Sequence, residues 1–327
     1  MFGKYQNIII PIATFFLGGV FLWAWNVDSV GNKENSVCGK QYPFLDAKID
    51  CIKSDEASDQ IESSRKAVEK IVNDEISAHR IDRASVFYRD LNTRRWFGVN
   101  DTTEYYPGSL VKLPVSMGYY KLSELQPELL NKKIVIPVED VVSGNTDQHY
   151  PPQDPLVADT PYTVAEMIRH MIVYSDNAPF GPLMDHGRGF VEKSLTDLGL
   201  TEMREGEMIT GWRTSVRTYA GALRALYSAS YLNMENSNAI LSLLSQSTFM
   251  KGIVSGVPSG IKVSHKFGEG TGTTVDNTVL TYTLNDCGIV YKPGHPFILC
   301  VMTESQDFTQ METVIQEISR ASYSDIQ

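Results

Sequence analysis

Ser109 and Lys112 stand three residues apart in Ser109-Leu110-Val111-Lys112. On a helix, positions i and i+3 share a face, so an amine at the second position can reach a hydroxyl at the first. A serine hydroxyl is a weak nucleophile until a base takes its proton. A lysine whose pKa is lowered by burial, or by a neighbouring cation, is such a base. The chemistry this pair offers is acyl transfer through an acyl-serine, and a helix N-terminus would favour the negative charge that develops. Two more groups follow in the chain: Ser175-Asp176-Asn177, directly after an apolar run, and Lys266-Phe267-Gly268 inside a strand-like run. Each triplet alone is common. The ordered set, with each member in its own structural setting, is not.

These groups need elements to hold them. A helical stretch runs from Ser109 towards Leu125, with Pro114 in its first turns, where a missing N–H is tolerated. Thr163-Val164-Ala165-Glu166 is a capping box, and Val164, Met167, Ile168, Met171 and Ile172 then recur at helical spacing, so Ser175 falls just past a buried helix. From Gly260 onward, IKVSHKFG, TVLTYTLN, CGIVY and FILCVMT read as strands separated by Gly, Asp-Cys-Gly and Pro-Gly-His turn signals, which puts Lys266 on a strand. Nearer the N-terminus, Ile61, Val68, Ile71 and Val72 form one helix face. Ala84 to Val99 reads as a hairpin turning at Leu91-Asn92-Thr93. Helices are predicted at 190–197, 215–231 and 236–246, and a last one buries Phe308, Met311, Ile315 and Ile318. The Pro-, Asp- and Gly-rich segment 140–160 reads as a long loop near the site. Strands from both chain ends with helices between them predict an α+β fold: an antiparallel sheet flanked by helices, plus an all-helical lobe.

The rest of the chain bounds the setting. Its 327 residues carry 29 Lys and Arg against 39 Asp and Glu, a net charge of −10 with no basic run, which argues against a nucleic-acid partner. Residues 8–25, IIIPIATFFLGGVFLWAW, are apolar apart from Thr14. At about 1.5 Å per residue they span roughly 27 Å, close to the hydrocarbon thickness of a bilayer. Lys4 precedes the run, Trp23 and Trp25 sit where an interfacial belt would lie, and no small-residue cleavage site follows. The expected organisation is an uncleaved membrane anchor over 1–27, a polar juxtamembrane stalk over 28–55 and a catalytic domain over 56–327. Four cysteines fall in two local pairs. A disulfide between Cys38 and Cys51 would staple the stalk, whereas Cys287 and Cys300, symmetric about Pro293-Gly294, read equally as a cross-strand disulfide or as two buried thiols. The scattered histidines have no metal-site spacing, so neither metal nor other cofactor is expected, and a monomer is expected.

With those motifs in place, the chain over roughly 56–327 resembles the class A β-lactamases and their penicillin-binding relatives. The resemblance implies that Ser109 forms the acyl-enzyme and that Lys112 acts as general base or assists a water-borne one. It implies that Ser175 relays a proton to the leaving nitrogen, that Asn177 hydrogen-bonds the substrate amide, and that Lys266 supports Ser175 and the substrate carboxylate. It places an oxyanion hole at the Ser109 N–H and at a strand N–H near Glu269, beside Gly268 and Thr271. It also implies a catalytic domain on the outer side of a cell membrane.

The sequence departs from that family in two places. Phe267 stands where Thr or Ser usually binds a carboxylate, and it has no donor. Thr271, Thr273 and Thr274 are the hydroxyls nearby, and the next strand lacks the arginine that often helps. The E-x-x-x-N pattern that supplies the deacylating glutamate is also missing from a shortened 198–215 segment, which leaves Glu202, Glu205 and Glu207 as candidate bases. Three functions therefore compete. The first is a hydrolase that opens the amide of a small-molecule β-lactam. The second is a D-alanyl-D-alanine carboxypeptidase acting on peptidoglycan peptides with slow deacylation. The third is a non-catalytic membrane-tethered binding module.

Overall fold

A computed structural model describes residues 54–145, 148–200, 212–273 and 279–324. The segments 8–25 and 28–53, with Cys38 and Cys51, lie outside the described residues. Among the described residues no helix is long and apolar enough to cross a membrane.

Helix α1 (Ser54–Ser77) leads into β1 (Arg83–Asp90) and β2 (Trp96–Val99), the expected hairpin. The chain then enters a 3-10 turn, Gly108–Val111, continued by α2 (Lys112–Ser123). Ser109 thus lies on a tight turn ahead of the α-helix, and Pro114 falls in the first turn of α2, where its lost donor has no partner to miss. Segment β3 (Lys133–Val135) pairs with β4 (Pro161–Thr163). Between them, α3 (Val138–Asn145) forms where the sequence reads as the start of a loop.

The capping box is realised: Glu166 N–H donates to Thr163 Oγ1, and Thr163 N–H donates back to the Glu166 carboxylate, opening α4 (Val164–Arg169). The helix widens to a π turn over His170–Tyr174 and stops at Ser175, whose φ of +58° is left-handed. Next comes α5 (Phe180–Asp197), ten residues longer at its start than the 190–197 expected. Gly181, Pro182, Gly187 and Gly189 hide it from a propensity reading. Pro182 is harmless in the first turn, and Gly187 lets Tyr119 and Phe190 come close, since a Cβ there would meet both rings within 2.9 Å. Helix α6 (Val216–Tyr227) ends before 231 because Ala229 adopts φ +48°. Helix α7 (Met234–Leu244) starts on an Asn233 cap.

After the short α8 (Ile253–Gly256) come β5 (Val263–Thr273), β6 (Val279–Val290), β7 (Phe297–Ser305) and the final helix α9 (Phe308–Ser324). The Asp286-Cys287-Gly288 signal is not a turn; β6 runs straight through it. Gly288 pairs with His265, where a Cβ would fall 2.4 Å from the histidine Cβ, so this glycine serves close strand packing. The sheet is antiparallel in the order β2-β1-β7-β6-β5, built from both chain ends as expected. One face is covered by α1, α8 and α9, with Val72, Phe249, Ile253, Ile315 and Ile318 buried against it. The other carries the helical lobe, whose core includes Leu113, Met117, Ile168, Met171 and Leu223. Cys287 and Cys300 are directly opposed across β6 and β7 and form a disulfide on the lobe face.

Candidate active site

The Ser109 turn is fixed from several sides. Asn285 Nδ2 on β6 donates to Tyr106 O at 2.9 Å and Pro107 O at 3.4 Å. The Tyr219 hydroxyl on α6 donates to Leu110 O at 3.0 Å. Strand β5, an edge of the sheet, runs against the turn so tightly that a Cβ on Gly108 would lie 2.1 Å from Glu269 O. A Cβ on Gly268 would lie 2.3 Å from Pro107 O. Gly108 also has φ +54°, so it is needed for both space and conformation. The backbone of Glu269 is thereby held beside Ser109, the neighbourhood in which two N–H groups could receive an oxyanion.

Beneath the turn lie two amines. Lys112 Nζ donates to Ser175 O at 2.6 Å and to Asn177 Oδ1, and lies 3.4 Å from Ser175 Oγ. Lys266 Nζ donates to Ser175 Oγ at 2.8 Å and to Phe267 O at 3.0 Å. Both lysines are buried. Burial, and then the neighbouring Lys266 ammonium, hold the Lys112 pKa well below its ordinary value, although Asp176 and Glu269 pull the other way. Burial likewise pushes Lys266 down to about 7, against the opposing pull of Asp286 and Glu269. Two acceptors take two N–H bonds of Lys112, so its neutral form keeps a lone pair for a proton, as a base requires.

The left-handed turn at Ser175 delivers its hydroxyl between the two amines. Asp176 secures the turn: its carboxylate accepts from Leu156 N–H at 2.7 Å and Ala178 N–H at 3.0 Å. Asn177 Nδ2 donates to Gly144 O at 2.7 Å, tying the end of α3 to the same turn.

Above them opens a cleft of about 830 Å³. Of the residues expected from sequence, Ser109, Asn177, Glu269 and Thr271 line it, while Lys112, Ser175 and Lys266 are buried. Gly268 packs on the Ser109 turn. Glu202, Glu205 and Glu207 lie outside the described residues, as do Thr274 and the side chain of Thr273. Phe267 faces away from the lobe: its ring stacks on Phe249 at 4.1 Å in the other core, so no donor stands in that position. The Glu269 carboxylate is turned to the loop, accepting His149 N–H at 2.9 Å and Tyr150 N–H at 3.2 Å. Burial raises its pKa, while those two bonds oppose the rise.

Sequence reasoning missed His149, Tyr282 and the start of α9 (Asp307, Phe308, Thr309), which also line the cleft. The long loop pointed to the first only as a segment, and no signal marked the others.

Solved structures of similar fold include a PBP-A mutant held as an acyl-enzyme with penicillin G, at 17% identity and a TM-score of 0.65 over 80% of this chain and 96% of that one. A β-lactamase from Sphaerobacter thermophilus matches at 22% identity and a TM-score of 0.64 over 80% and 95%. A class A β-lactamase from Mycobacterium abscessus matches at 22% and 0.64 over 79% and 97%. No curated protein matches the chain in sequence. The profile of the Beta-lactamase enzyme family matches residues 66–326, four-fifths of the sequence and all of the motifs above: the chain belongs to that family and is a serine β-lactamase-like hydrolase.

Proposed function

We propose that the protein opens β-lactam amides through an acyl-enzyme on Ser109 and that it hydrolyses this acyl-enzyme slowly. The observation that carries the reading is the pair of buried, pKa-lowered lysines meeting at Ser175 beneath a cleft that Ser109 lines. Neutral Lys112 takes the proton from Ser109 Oγ as the new C–O bond forms. Ser175 gives its proton to the departing nitrogen as the C–N bond breaks, and regains one from the lysine ammonium. The N–H groups of Ser109 and Glu269 receive the oxyanion. The PBP-A mutant of similar fold, captured as an acyl-enzyme with penicillin G, supports the intermediate.

Slow deacylation follows from the missing E-x-x-x-N pattern. A positioned base contributes roughly 10²–10⁴ in rate, so nitrocefin should give a burst of one equivalent per enzyme and then slow turnover. Full-length protein in detergent should gain the mass of one penicillin on Ser109, and Ser109→Ala should gain none. An adduct elsewhere, or none, removes the mechanism; fast turnover without a burst removes the slow second step. A peptidase acting on D-alanyl-D-alanine would show the same burst, and release of D-alanine from a pentapeptide separates the two.

The apolar 8–25 run and the Cys287–Cys300 disulfide support a domain held outside the cytoplasm by an uncleaved anchor. Carbonate-washed membranes should retain the full chain. A mature N-terminus near residues 26–30 would show a cleaved signal instead.

A further inference from the structure

We propose that His149 binds the carboxylate of the substrate, in place of the hydroxyl and arginine that this chain lacks. The inference rests on the acyl-serine reading above and names the group that orients the substrate for it.

Phe267 has turned its ring into the opposite core. Lys266 is buried, with its amine committed to Ser175 Oγ and Phe267 O. Among the described residues that line the cleft, His149 is the one whose side chain can carry positive charge. It is exposed, and neither ring nitrogen forms a hydrogen bond among the described residues. Yet the ring is placed. It stacks on Phe308 of α9, with centroids 4.1 Å apart and planes 11° from parallel, and it meets Tyr150 edge-on at 4.6 Å. Its backbone N–H is pinned to Glu269 Oε2 on the strand beside Ser109. Stacking on one side and a strand tether on the other hold the imidazole over the cleft, with donors free for a ligand.

The charged groups around it are already engaged. Glu269 accepts the two loop N–H groups. Asp307 caps α9, accepting Thr309 N–H at 2.8 Å and Gln310 N–H at 3.4 Å. Glu312 accepts from Lys251 at 2.7 Å and from the Tyr150 hydroxyl. Thr271, Tyr282 and Thr309 bring uncharged hydroxyls to the same cleft, so the uncommitted donor there that can also carry charge is the imidazole. A carboxylate is the complementary group, whether it belongs to a lactam or to a peptide terminus.

The test compares charged and neutral forms of one substrate on full-length protein in detergent. Acylation of Ser109 by benzylpenicillin and by its methyl ester is followed by intact mass for the native enzyme, His149→Ala and His149→Lys. Loss of a charge-assisted contact should slow acylation by the acid roughly 5–20-fold in His149→Ala, change the ester less than about twofold, and be repaired by His149→Lys. An equal loss with acid and ester, or no loss, rules out the lactam as the source of that carboxylate, because packing on Phe308 would affect both substrates alike. If neither probe labels Ser109 in the native enzyme, the acyl-serine reading itself fails. A D-alanyl-D-alanine peptide and its C-terminal amide form a second pair: dependence on His149 in the lactam pair or the peptide pair assigns the carboxylate to that source, and dependence in neither overturns the proposal.

Discussion

The two faces of the five-stranded sheet are both well covered, but they bury different things. Towards α1, α8 and α9 lie apolar side chains such as Val86, Phe249, Phe267 and Ile315. The principal polar pair there is His265 Nδ1 with Asp286 Oδ1 at 2.8 Å, and Asp286 also accepts Ile253 N–H at 3.0 Å. Towards the lobe, the sheet buries Lys266 beside Lys112, Ser175 and Asp176. Successive residues of β5 serve the two sides: Lys266 points to chemistry and Phe267 to cohesion, because strand side chains alternate. One face holds amines in a state that costs stability, and its neighbour supplies apolar packing that offsets the cost.

The comparison is open to attack, starting with the largest effect. Lys112→Ala should slow Ser109 acylation by about 10²–10⁴, measured by intact mass on the folded protein. A folded variant that acylated at the native rate would remove the chemical role of the lobe face. On the other face, Phe267→Ala should cost about 3–5 kcal/mol in urea unfolding while the surviving folded protein still acylates within a few-fold of native. Equal damage to both properties would show that the faces are not separable. Asp176→Ala should cost about 1–3 kcal/mol, because two buried N–H groups lose their acceptor.

The last comparison concerns pH. The folded pKa of Lys266, about 7, lies below that of an unfolded lysine, about 10.4. Between those values the unfolded chain binds a proton that the folded one does not, so native stability should rise with pH from 7 towards 10 and fall as pH returns to 7. Lys266→Met should reduce that slope and leave the part that Lys112 contributes, and its gain relative to the native protein should be greatest near pH 7. Parallel slopes for the two proteins in denaturant titrations at pH 7, 8 and 9 would contradict it.

Local chemistry was legible in the sequence wherever it set local structure. The capping box ahead of Ser175, the hairpin at Leu91–Thr93 and the buried stripe of α9 all follow from residue type and spacing. Reading failed where tertiary contact reversed a local rule. Gly187 sits inside α5 because Tyr119 and Phe190 take the space, Gly181 sits where Asp140 comes close, and Gly288 lies within a strand because His265 presses on it. The motifs brought Ser109, Lys112, Ser175 and Lys266 to one place. The opposite wall of the cleft, His149 with the start of α9, was illegible because no local pattern records which distant segments will meet.

The sheet's strand order also has a consequence in time. Strand β1 pairs along its whole length with β7, from Arg83 opposite Glu304 to Asp90 opposite Phe297. The N-terminal hairpin must therefore wait for a partner made more than two hundred residues later, and such distant pairing is slow to find. The turn carrying Ser109 waits as well, since Asn285 on β6 and the backbone of β5 hold it in place. A chain still emerging from the ribosome thus carries the Ser109 turn unassembled. Reactivity would arrive late and all at once, when the last strand slots between its neighbours.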